Sequence, residues 1–229
     1  GWELGIHGFP TSDEYNDRGH ARQDFQSGSI WWGGMPSGTY TFNVAWASQP
    51  NGFFCGPTTG FMILRYKGIT TSRSTGAGLS IENVATAMRT RDYGYTSFND
   101  RRFTSGMNAW IGAGYYSTTH TPSPDTVRAA ARRSFSTGYP MAVDEQERRG
   151  GPHFNGHSNA TFSHIMAVVG YNTQTDAVEF IDSSAGMWIN PTGAQNRTFW
   201  YPSLGGFTST YLQHEYVNDG KQHIGIYAS

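Results

Sequence analysis

Helix signals in this 229-residue chain stop at residue 138, and from residue 139 onward the pattern is that of strands. Pro57 suits a first helical turn, and Phe61, Ile63 and Leu64 precede a stop at Gly68. Ser80 stands as N-cap before a second helix reaching Thr90, and residues 104–112 form a shorter third. The strongest helix follows Ser123, with Pro124 at its start, Arg132 and Arg133 in its expected last turn, and Gly138 as its stop. Apolar runs at 139–143, 164–169, 177–181, 197–201 and 223–227 are bounded by Gly, Asn and Asp turns. Helices first and an antiparallel sheet afterwards make an α+β chain.

The first forty residues are different. They are dense in Gly, Trp and turn residues, with short aromatic strands between tight turns at 11–14, 16–19 and 33–36. Elsewhere the composition mostly excludes. A formal net charge of -1 with no block of like charge gives no footprint for nucleic acid or an anionic membrane surface. The longest apolar runs, such as 165–169, are far too short to span a bilayer as a helix. Charged residues at 14% against 29 glycines and 15% aromatics lean towards β-rich extracellular enzymes. The chain begins at Gly1 rather than Met, which leaves room for a removed leader or an upstream segment.

Cys55 is the only cysteine, so it has no internal disulfide partner. It sits just before Gly56 and Pro57, where the exposed N–H groups at the start of a helix favour a thiolate. The alternative is a buried small hydrophobe, the usual fate of a free cysteine. Residues 171–176 read as the turn of a hairpin joining the strands at 164–170 and 177–181. With pairing centred near Thr173, His164 faces Asp182 within about one residue of register, close enough for an imidazole and a carboxylate to hydrogen-bond. Gln49, six positions before Cys55, is a side-chain amide that a short turn could bring to the same point.

Two stretches resemble known families. Residues 1–14, with Leu4, Gly5, Phe9, Pro10, Thr11, Ser12, Asp13 and Glu14, followed by Phe25, Gln26, Gly28, Ile30 and Trp32, resemble one LGFP repeat over roughly residues 1–40. His7 interrupts the motif, and Gly38, Thr39 and Tyr40 depart from the usual ending. Such repeats imply a secreted, cell-envelope protein, and hence an envelope glycan as partner of residues 1–41. Packing of this module as structural support for its neighbour is an equally open reading. From residue 42 to 229 the chain resembles the C39-like group of papain-fold cysteine peptidases. The likeness is carried by Gln49, Cys55, Gly56, Pro57 and Thr58, by 138–143, by His164 with 165–171, and by 178–182.

That resemblance implies a module at 1–41 and a papain-like α+β domain at 42–229. In the latter Cys55 would be the nucleophile, His164 the base and later acid, Asp182 the orienting group and Gln49 the oxyanion donor. It implies hydrolysis of peptide bonds, without cofactor or metal. Loss of an oxyanion donor in comparable sites costs about two to three powers of ten in rate. Ser163 before the histidine, and Ser183 and Ser184 after the aspartate, replace the family's common Gly and Pro.

The same thiol chemistry also serves glutamine deamidation and transamidation, because only the second acceptor differs. A three-histidine zinc site of His153, His157 and His164 is the sharpest rival chemistry, disfavoured because Pro152 and Gly156 make that segment a loop. The loop is expected to flank the cleft on a mobile base at 148–152 and to select substrate. Trp2, Trp31 and Trp32 could instead stack on sugars in a binding protein with an inert papain-like half, although aromatics at this density more often form the core of a small β module.

Overall fold

The computed structural model describes residues 8–26, 28–187, 194–212 and 224–228, the last of these by backbone alone. Three strands, β1 (Tyr15–Asp17), β2 (His20–Phe25) and β3 (Gly28–Trp31), form a small antiparallel sheet, followed by β4 (Thr39–Thr41). Then come α1 (Cys55–Tyr66), α2 (Ile81–Ala87), α3 (Thr90–Tyr93), α4 (Arg102–Ile111), β5 (Tyr116–His120) and α5 (Pro124–Thr137). The chain continues through β6 (Ala142–Glu147), β7 (Phe162–Asn172), β8 (Val178–Ile181), β9 (Thr198–Tyr201), α6 (Leu204–Phe207), a π-helical turn at Thr208–Leu212, and β10 (Ile224–Ala228). The large sheet has the order β5-β10-β6-β7-β8-β9, with β4 also pairing β7.

The expected α+β layout is the one observed. Helix starts follow their caps: Ser80 accepts from the Asn83 N–H, and Ser123 from the Thr126 N–H. Gly138 adopts φ 72, the left-handed stop that its position required. α5 runs a turn beyond Arg132 and Arg133 to Thr137, and β6 reaches Glu147, four residues past the expected strand end. α3 and β5 are not anticipated in the sequence, and neither are α6 and the π-helical turn, which follow residue 138 where only strands are expected.

The sheet is buried on both faces. Ile165, Ala167 and Val169 of β7 pack with Met62, Ile63 and Leu64 of α1, Val84 of α2 and Met107 and Trp110 of α4. Met166 and Val168 point the other way, with Val143 of β6, towards Val127, Ala131 and Phe135 of α5 and Phe207. This period of two fixes the faces along β6 and β7. Thr59 of α1 donates to the carbonyl of Ile165, which pins the helix start beside the opening residues of β7.

The small N-terminal sheet lies against α5. A Cβ at Gly28 would stand 2.5 Å from the carbonyl oxygen of Ser136, so only glycine allows this approach. Trp31 is buried and meets Tyr40 edge-on at 5.9 Å, while Trp32 is exposed. Structural support is therefore part of what residues 8–41 provide. Trp2 and His7 fall outside the described residues.

Candidate active site

Cys55 opens α1 and is half-buried; Phe54 before it gives no side-chain cap, so no capping side chain takes up the N–H groups of the first turn. His164 is buried near the start of β7, and Asp182 is the residue immediately after β8. The structure brings all three together. Cys55 lies close enough to His164 to favour charge on its ring, and His164 Nε2 lies 2.9 Å from Asp182 Oδ1.

The contact is as expected, but the register behind it is not. The hairpin pairs Ala167 with Ile181 and Tyr171 with Val178, with a bulge between Val168 and Gly170. The loop closes between Asn172 and Ala177, so its centre falls after Thr173 and the pairing is displaced by about two residues. Directly opposite His164 is Glu145 of β6. Asp182 reaches His164 because it stands just past the end of β8, and a shift of two leaves side chains on their original face.

Asp182 is fully buried and its carboxylate is saturated with donors. Oδ1 also accepts from the N–H of Ser184 at 2.9 Å and from its hydroxyl at 2.7 Å. Oδ2 accepts from Asn155 Nδ2 at 3.0 Å and faces His157 Nε2 at 2.9 Å. Burial alone would raise this carboxyl, but the charges and hydrogen bonds of His164 and His157 hold it well below the usual carboxylate range. Burial likewise opposes charge on His164. The carboxylate of Asp182, its hydrogen bond and that of Cys55 outweigh it and keep the imidazole well above its ordinary value. His164 therefore holds a proton at neutral pH.

Gln49 is buried beside the same residues. Its Nε2 donates to the carbonyl of Asn51 at 2.8 Å, and its Oε1 accepts from the Ser183 hydroxyl at 2.9 Å. Its backbone N–H donates to the Ser183 carbonyl at 2.9 Å. One amide hydrogen remains for an incoming oxyanion, and Ser183 fixes which way the amide faces. Ser183 and Ser184, which replace the proline of the resembled pattern, thus hold Gln49 and Asp182 respectively. The Trp46 indole N–H donates to the Asp182 carbonyl at 2.8 Å and ties down the same corner.

The three histidines do not converge on one point. His164 and His157 each turn Nε2 to Asp182, while His157 Nδ1 and His153 Nδ1 both contact the carboxylate of Glu147. Nor is the loop at 148–161 merely a flank of the cleft: Phe154 and His157 within it are buried. Among the described residues, Glu145, Glu147 and His157 bring one ligand atom each within 4.8 Å of one another, the spacing of a metal site. Both His157 nitrogens are already engaged by carboxylate oxygens, Nδ1 by Glu147 and Nε2 by Asp182, so this is a hydrogen-bonded cluster. Glu145 is fully buried without a hydrogen-bond partner for either oxygen. Burial, reinforced by the charge of Glu147, pushes it well up, leaving a neutral acid.

Sequence reading missed Ser183, Ser184, Asn155, His157 and Glu147 as parts of the site. One signal was present: alternation along β6 puts Val143, Glu145 and Glu147 on one face, and two acids continuing an apolar face call for partners. Two cavities, of about 520 and 690 Å³, lie elsewhere, one between β3, β4 and Phe135, the other around 67–76 and Tyr115.

The Peptidase_C39 like family model matches residues 41–214. The chain belongs to this family. An LGFP repeat model matches residues 8–49. No curated protein matches. Among solved structures, xylellain, a cysteine protease from Xylella fastidiosa, is similar at 9% identity and a TM-score of 0.43, covering 86% of this chain and 87% of its own. Digestive procathepsin L2 proteinase from Tenebrio molitor larval midgut is similar at 13% identity and a TM-score of 0.37, covering 85% and 68%. At such values the family assignment stands on the family match and on the order of elements seen here: a cysteine-bearing helix, then an antiparallel sheet carrying histidine and aspartate.

Proposed function

We propose that this C39-like protein is a thiol hydrolase acting on peptide bonds of a peptide or protein substrate. The observation that carries the reading is the approach of Cys55, at the start of α1, to a His164 that is hydrogen-bonded to Asp182. With His164 already carrying the proton, the Cys55 sulfur attacks the carbonyl carbon as the thiolate, while Gln49 Nε2 and the Cys55 N–H receive the oxyanion. His164 then gives its proton to the leaving amine nitrogen, and a thioester remains on the sulfur. Water, deprotonated by His164, attacks the thioester and releases the carboxylate. Asp182 keeps the imidazole in one orientation throughout.

We further infer a secreted, envelope-associated setting. The LGFP match over 8–49 supports it, as do Phe9, Tyr15 and Trp32, which are left exposed on the N-terminal sheet for an envelope glycan. No helix among the described residues is long and apolar enough to cross a membrane.

Incubation with a mixed peptide library, read by mass, tests the reaction. New termini that disappear in Cys55→Ala are expected. A gain of about one dalton per site, or crosslinks, would assign the same thiol to amide hydrolysis or transfer instead, and products that persist in Cys55→Ala would overturn the reading.

A further inference from the structure

Asp182 presents only one of its oxygens to His164, and a second histidine, together with Asn155, holds the other. From the thiol outward the contacts run Cys55, His164, Asp182, His157, Glu147, His153 and Asn159, the last pair at 3.2 Å. The side chains of His157 and Glu147 are wholly buried, whereas His153 is 15% exposed and lies beside the exposed Asn159. We propose that His157, clamped between Asp182 and Glu147, is a positioning residue of the thiol site that fixes Asp182 from behind and moderates its pull on His164.

The ring's hydrogen bonding decides its state. A neutral imidazole carries one N–H, yet His157 has a carboxyl oxygen at each nitrogen, so with both carboxyls ionised the two contacts are satisfied only by the protonated ring. Burial opposes that charge, and the bonds to Asp182 and Glu147 outweigh burial. Charges then alternate along the line, with His157 and His164 on either side of Asp182. The groups facing this line are Glu145 and Glu147 from β6, Tyr211 from the π-helical turn, His153 from the same loop, and Asp144, whose carboxylate lies within electrostatic reach of His164.

An aspartate shared between two cations draws less on either one. His164 therefore releases its proton to the leaving amine more readily than it would to the side of a carboxylate bound to it alone. Phe154 and Phe162, whose rings are centred 4.7 and 5.6 Å from that of His157, keep the clamp out of water, so its charges are weakly screened.

The inference rests on the thiol-hydrolase reading, and the experiment separates the two. Nitrogen NMR of the wild-type histidine rings near neutral pH should find both nitrogens of His157 protonated. In His157→Gln, Glu147→Gln and the double variant, which exchanges the ion pair for two amides, kcat should fall on the order of tenfold. KM should stay within about twofold, and the imidazole limb of the pH profile should move to higher pH. A neutral His157 in the wild type overturns the proposal. So does a folded variant with a wild-type limb, whether or not kcat falls, because a merely structural role would not move it. Should the variants fail to fold, the wild-type ring state decides alone. Activity that survives Cys55→Ala would refute the underlying chemistry, whereas a silent Cys55→Ala beside unchanged His157 variants refutes only the clamp.

Discussion

Two aspartates sit at opposite ends of the β7–β8 hairpin, each gathering a similar set of donors for different ends. Asp176, in the closing loop, accepts Arg128 Nε at 3.0 Å and Nη2 at 2.9 Å, Tyr171 OH at 3.0 Å, Ser203 Oγ at 2.7 Å and the Gly205 N–H at 2.9 Å. Asp182, at the open end, accepts two imidazoles, an amide, a hydroxyl and a backbone N–H. The partner of Asp176 is a guanidinium, which keeps its proton at every pH the fold survives. The partners of Asp182 can give theirs up. The first arrangement ties α5, the hairpin and α6 together, and the second supports the movement of a proton.

The sharpest way to break this contrast is Asp182→Asn. With an amide in place of the carboxylate, peptide hydrolysis should fall by about four powers of ten, and two buried imidazoles lose their counter-charge at a cost of about 3–5 kcal/mol in unfolding free energy. Wild-type turnover in this variant would equate the two ends of the hairpin. Asp176→Asn should leave the reactivity of Cys55 unchanged and lower stability by about 1–2 kcal/mol, discounted for the partial exposure of the site. Burial is offset here by Arg128, Gly205, Ser203 and Tyr171, which bring Asp176 down to about 2. Because that value is depressed, its stabilisation is full above the unfolded carboxyl range and is lost as pH falls towards about 2. Denaturant titrations across that window, in wild type and variant, check it.

A third effect, on stability alone, has the opposite sign. Burial pushes Asp144 up to about 8, with His164 pulling it partly back. The folded state then binds a proton that the unfolded chain has released, so stability declines as pH rises from about 4 towards 8. Asp144→Asn should remove that decline, flattening the melting temperature over the same range; an unchanged slope would place its source elsewhere.

What the sequence made legible was local chemistry in order: Cys55 before a helix, His164 near a strand start and Asp182 after the next strand. A thiol at a helix start and a period-two strand are each specified within a few residues. Register was less legible, because loop closure between Asn172 and Ala177 and the bulge at Val168 depend on packing against Gly38 and β9. The clamp on Asp182 was hidden for a different reason. His157 and Asn155 sit in a segment rich in Gly and Pro that reads as an exposed loop, and only the buried ring of Phe154, packed on Phe199, Phe207 and Tyr211, draws it inward. Ser183 and Ser184 looked like departures from a pattern until their hydroxyls were seen to hold Gln49 and Asp182.

The central claim, that His164 activates Cys55, is tested most directly by the rate at which iodoacetamide modifies the thiol across pH in wild type and His164→Ala. Rapid modification near neutral pH that slows markedly without the imidazole is the predicted result. A slow rate common to both proteins, with the same dependence on pH, would contradict it.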